Sequence, residues 1–297
     1  MIWIPITLAA AVFQILRTSR QHELRSALST RAAGFVRFAY GAPLAVFAAT
    51  LMFGVLGRPV PSVPGRFWVI VVAAGVSQIV ATVALLRAFQ LRDFAVGTVY
   101  SKSEVLIVSA LGAVGVGTPL AGPGWIGAVL VTVGVAWLAS TGSLLGLIRR
   151  AGDPAAVMGI VAGAGFAGAA IGIRAASRSL GAAPSFDRAV FTLTVLLLAQ
   201  TAINLAWFAV TDPGEIRRTA GAWRTASWVG VFSLLGSLGW AWAFTLESAA
   251  KVRTLGQVEL IIAFVIARSS LGERHGRDDY AASVLVLAGV VLVAVLG

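Results

Sequence analysis

Apolar residues in this chain come in runs of about twenty, interrupted by short clusters of glycine, proline and arginine. A helix needs about 20 apolar residues to cross roughly 30 Å of hydrocarbon. Ten segments reach that length, at approximately 2–20, 34–56, 67–90, 94–115, 122–141, 154–177, 188–210, 225–246, 251–270 and 279–297. The pattern predicts an all-α, multi-pass integral membrane protein with ten transmembrane helices. Connections are short: 57–66, 91–93, 115–124, 149–154, 211–218 and 272–279. The third and fourth spans, and the eighth and ninth, are close enough in sequence to form antiparallel hairpins. The first seventeen residues, MIWIPITLAAAVFQILR, have neither a positive leader nor a small-residue cleavage site, so they are expected to be a retained first helix.

Composition strengthens this picture. The 297 residues are 58% hydrophobic and 12% charged, against about 25% charged in a soluble domain. With no cysteine, disulfides and cysteine-based metal sites are excluded. The two histidines, His22 and His275, lie apart in charged stretches and form no ligand cluster. The formal charge of +11 is assigned to loop arginines held against anionic headgroups, and no nucleic-acid partner is expected. Counting basic residues by side puts eleven in the loops after odd-numbered spans, among them Arg25, Arg92, Arg149, Arg150 and Arg274, and six in the others. That bias places both termini outside the cytoplasm.

Sliding the chain on itself at an offset of 155 residues aligns 80–139 with 235–294 without a gap. Ala88-Phe89 meets Ala243-Phe244, Trp125 meets Tyr280, Gly134 meets Gly289 and Glu104 meets Glu259. Near the start of each half, Arg17 resembles Arg174 in context, and Arg37 resembles Arg188. The expected organisation is two five-helix repeats, 1–148 and 149–297. An odd number of spans reverses direction, so the halves are expected to be inverted, the arrangement of alternating-access transporters.

Ionisable groups inside apolar segments are costly and mark function by default. Glu104 and Glu259 lead the candidates, either as a titratable pair or as anchors for a cationic group. The competing reading makes them structural partners of Arg17 and Arg174. Arg17 lies roughly 22 Å along the first helix at 1.5 Å per residue, with Gln14 on the same face. Tyr100 and Ser101 share a face with Glu104, whereas Lys102, two residues before it, points elsewhere. The second half has Leu255, Gly256 and Gln257 at those three positions. Arg37 and Trp240 complete the set, Trp240 as a stacking platform deep in the eighth span. Ser77, Gln78 and Asn204 are further buried polar positions. The Gly159-x-x-x-Gly163 and Gly168-x-x-x-Gly172 pairs are read as packing motifs. The chain has no phosphate-binding loop, zinc-protease motif or Ser/His/Asp set, so it is not expected to be an enzyme and no cofactor is implied.

The segments AAAVFQILRTSRQHEL, FVRFAYGAP, VYSKSEV and LGQVEL with the following LGER resemble the drug/metabolite transporter superfamily, in its EamA-domain branch. The resemblance covers the whole chain as two tandem EamA domains. It implies secondary transport of small organic solutes, often export, from a central cavity; protons as a candidate coupling ion are expected from Glu104 and Glu259 read as a titratable pair. It puts Arg17, Tyr100, Ser101, Glu104, Arg174, Gln257 and Glu259 on helices that surround that cavity, and the fifth and tenth helices outside it. The expected setting is the lipid bilayer of a bacterial cytoplasmic membrane, as a monomer or homodimer, with a small-molecule substrate such as an amino acid. A non-transport scaffold and a channel are the alternatives.

Overall fold

The computed structural model describes residues 1–24, 28–91, 100–138, 152–262 and 277–297. Among them every regular element is a helix. These are α1 (Trp3–Glu23), α2 (Thr30–Ala39), α3 (Gly41–Ala49), α4 (Gly65–Leu91), α5 (Glu104–Leu111), α6 (Gly122–Leu138), α7 (Pro154–Ser179), α8 (Ser185–Thr211), α9 (Pro213–Gly221), α10 (Trp223–Leu246), α11 (Ala249–Gly256) and α12 (Arg277–Leu296). Widened π-helical turns extend α3 over Thr50–Val55 and α5 over Gly112–Val116. Among the described residues, five stretches are long and apolar enough to cross a bilayer: Thr30–Val55, Gly65–Leu91, Pro154–Ser179, Ser185–Thr211 and Trp223–Leu246. Glu104–Val116, Gly122–Leu138 and Tyr280–Leu296 are shorter apolar helices. The 91–93 link and the counted arginines Arg25, Arg92, Arg149, Arg150 and Arg274 fall largely or wholly outside the described residues, as does His275.

Local chemistry explains where elements start and stop. Ser29 caps α2 through its Oγ, which accepts the Ala32 N–H at 3.2 Å. The predicted second span divides at Tyr40 into α2 and α3, because Pro43 has no N–H to donate to the Ala39 carbonyl. The sequence suggested a loop at 211–218, but Pro213–Gly221 is helical. Asp212 caps it by accepting from the Gly214 N–H at 3.1 Å, and Pro213 fits the first helical position. Arg218 then bridges Asp212 at 2.8 Å and Glu215 at 3.1 Å. Its hydrogen bond to Glu215, then the nearby charges, push the guanidinium further above its ordinary range.

The chain folds as two compact units, each built from segments of both halves: Met1–Ile79 with Gly172–Leu246, and Val80–Ile171 with Glu247–Gly297. Compactness therefore does not divide at 148. In the first unit, α1 lies along α10 so closely that a methyl on Gly239 would come within 2.8 Å of the Ala10 Cβ. Leu24, Leu28, Ala32, Ala33, Val36, Ala226 and Val229 form one apolar cluster where α2 meets α10. The Tyr40 hydroxyl donates to the Thr219 carbonyl at 3.0 Å and fastens α9 to it.

In the second unit, α6 packs along α12, the fifth predicted span against the tenth. A methyl on Gly127 would come within 2.6 Å of the Gly289 carbonyl oxygen, and one on Gly289 equally near the Gly127 carbonyl. Only glycine allows that approach, which membrane helices use because lipid offers them no hydrophobic drive to associate. Gly134 meets Val286 and Gly289 meets Val131 in the same way. Residues 131 and 286 are an offset-155 pair, as are 134 and 289, so the contact is reciprocal, as across a two-fold axis.

Candidate functional site

The helices that carry the two glutamates tighten at Lys102–Ser103, before Glu104, and at Gln257, before Glu259, with the backbone still right-handed helical at Ser103 and Gln257. At both places a tightened turn bridges three residues. The Val105 N–H donates to the Lys102 carbonyl at 3.3 Å, and the Leu260 N–H to the Gln257 carbonyl at 3.1 Å. These bonds are themselves related by the 155-residue offset. The sequence suggested regular spans, since the residues at these turns include no proline. The local signal available was the polar run Ser101-Lys102-Ser103 and the Gly256-Gln257 pair.

The second unit gathers the polar groups at these turns. Lys102 Nζ donates to Glu259 Oε1 in a buried ion pair. Gln257 Nε2 donates to Glu104 Oε1 at 3.2 Å and to the Arg253 carbonyl at 3.1 Å. Arg253 Nη1 stands 3.8 Å from the same Glu104 oxygen, and its guanidinium carbon lies 6.0 Å from the centre of the Phe166 ring. All are buried, with exposures of 4% at Glu104, 8% at Arg253, 9% at Lys102 and Glu259, and 2% at Gln257. The pairing crosses between the repeats. Positions 102 and 257 are equivalent, and each reaches the glutamate of the other half.

Of the candidate residues, Glu104, Glu259, Tyr100, Ser101, Lys102 and Gln257 thus fall in one neighbourhood of the second unit. Ser101 is buried, and the Tyr100 carbonyl accepts from the Ser103 hydroxyl at 2.7 Å. Gly163 was read as packing alone, yet it lies against this turn. A methyl there would come within 2.8 Å of the Ser101 carbonyl oxygen and 2.7 Å of Ser103 Oγ. Gly172 keeps the packing role, against Ala74 in the first unit.

The other candidates belong to the first unit. Gln14 Oε1 accepts from Trp240 Nε1 at 3.1 Å, and the Trp240 ring stacks on Phe244 with centroids 6.0 Å apart. The indole expected to receive substrate is thereby held by protein partners. Arg174 donates to the Phe244 carbonyl at 2.8 Å. Arg37 is buried with its guanidinium over Phe38, and Arg17 is half-buried on α1, one turn beyond Gln14.

Three groups escaped the sequence reading. Arg253 is one of the six basic residues counted in loops after even-numbered spans, because it stands at the predicted entrance of the ninth span. Its position four residues before Gln257 was the available signal, since that spacing puts the two on one helix face. Gln200, fully buried, donates to Gln78 Oε1 at 2.7 Å. Buried Asp187 pairs with half-exposed Arg58.

Long apolar helices enclosing paired charges, with a matching family domain, define an integral, multi-pass membrane protein. Residues 153–295 match the model of the EamA-like transporter family. No curated protein matches the chain. One crystal structure aligns over 98% of this chain and 95% of its own, with a TM-score of 0.70 at 15% identity. At that identity the likeness speaks for the fold alone.

Proposed function

We propose that the protein is a secondary active transporter that exports small organic metabolites such as amino acids by alternating access, with protons as the coupling ion. The observation that carries this reading is the reciprocal pairing of Lys102 with Glu259 and of Gln257 with Glu104 at two equivalent tightened turns. Buried charges at a repeat interface mark where secondary transporters build their sites. The matched domain supports the same class. Glu104 and Glu259 are the carboxylates that exchange partners with substrate or proton, while Lys102, Arg253 and Gln257 hold them between turnovers.

Purified protein in proteoliposomes, loaded with a mixture of tritiated L-amino acids and given a proton gradient, tests this. Gradient-driven efflux that is lost in Glu104→Gln and Glu259→Gln, with melting behaviour retained, is the expected result. Wild-type efflux from both variants removes the carboxylates from the mechanism. A static scaffold draws on the same observation, because in it every charge of the cluster would be permanently paired. Absence of turnover by the folded wild-type protein favours that reading.

A further inference from the structure

The four charged side chains at the tightened turns tie the fourth span to the ninth, and the direction of the ties has a consequence for how transport is coupled. Lys102 belongs to the first half and holds Glu259 of the second; Arg253 belongs to the second half and faces Glu104 of the first. Both pairs are buried, and their carboxylates, Glu104 and Glu259, stand at positions related by the 155-residue offset. We propose that these crossed pairs lock the empty protein, so that without an ion gradient to protonate the glutamates the fourth and ninth spans part only when a solute supplies replacement partners, and transport under that condition runs as exchange rather than as net leak. This rests on the alternating-access reading above.

The argument is electrostatic. Removing one partner from a buried pair leaves a charge that the interior cannot solvate. Parting the two spans while empty strands Lys102, Glu259, Arg253 and Glu104 together, because both pairs run between the same two spans and separate in one motion. A solute with its own charged groups offers each stranded side chain a new partner as the old one leaves. The loaded protein switches and the empty one does not. Gln257 reinforces the asymmetry, for it holds Glu104 by a neutral hydrogen bond and carries no charge to strand.

The full chain in proteoliposomes decides this by the ratio of two effluxes measured without any ion gradient. Vesicles loaded with the tritiated L-amino-acid mixture are diluted into buffer containing the same unlabelled amino acids, or into buffer with none. Wild-type exchange is expected to exceed net efflux by about tenfold or more, the factor that 1.4 kcal/mol of locking produces. Lys102→Gln combined with Arg253→Gln is expected to bring net efflux to within about twofold of exchange on the same scale. Lys102→Arg keeps the pair and should keep the ratio. Should the double variant fail to fold, Lys102→Gln alone carries the comparison. A wild-type ratio near one, or a ratio unchanged by removing Lys102, overturns the lock and leaves the transport reading standing. Wild-type vesicles that show neither exchange nor net efflux overturn both.

Discussion

The buried pair of Glu259 and Lys102 allows its part in stability to be measured apart from its proposed part in transport. Lys102→Ala leaves Glu259 without its ion-pair partner at 9% exposure and is expected to cost about 3–5 kcal/mol, read as lowered thermal stability in detergent. Replacing both partners by apolar residues of similar size, as in Lys102→Met with Glu259→Leu, should cost about 1 kcal/mol or less, because no charge is left to desolvate. That double variant should nevertheless lose gradient-driven flux. A stable protein with intact flux would show that the pair serves only packing. Trp240→Phe removes the indole N–H that Gln14 accepts and should cost about 1 kcal/mol. The glutamates were legible in the sequence because acids inside apolar runs are rare. That Lys102 faces away from Glu104 was legible from helical spacing. Its actual partner was not, because spacing along one helix says nothing about which carboxylate on another helix approaches it.

The elements carry the repeat in a way that residue matches alone do not. The tightened turns at Lys102 and Gln257 recur at one offset. So do the reciprocal approaches of α6 and α12. Gly127→Val or Gly289→Val places bulk where a single methyl would already come within 2.6 Å of a carbonyl oxygen. Either should destabilise the protein by about 1–3 kcal/mol. Matching losses at the two positions, measured by thermal melting, are the expected sign of an equivalent environment; a large loss at one and none at the other would count against it. Helix α9 was hidden in what read as a polar loop. Its stability comes from Asp212, Pro213 and the Glu215–Arg218 pair rather than from an apolar face, so hydrophobic periodicity could not find it.

For the whole molecule, the interleaving of the halves sets the prediction. Each compact unit takes segments from before and after residue 148, so neither half has its partners when alone. Fragments 1–148 and 149–297 expressed separately should be degraded, and co-expressed should associate and recover the wild-type melt. A stable separate half would contradict this. The basic-residue count further predicts that an Ile2→Cys variant, in a chain with no other cysteine, is labelled by an impermeant maleimide from outside intact cells. Protection there would reverse the orientation. By itself the sequence determined the helical class and the membrane setting, and it marked the 155-residue offset and two carboxylates inside apolar runs. Each of these follows from runs, spacing and composition along one dimension. Only the tertiary structure decided that the halves interleave, that the helices tighten just before Glu104 and Glu259, and that Lys102 and Arg253 reach carboxylates of the other half. Those outcomes depend on which helix surfaces meet, and approaches as close as Gly127 on Gly289 are set by packing between segments more than a hundred residues apart.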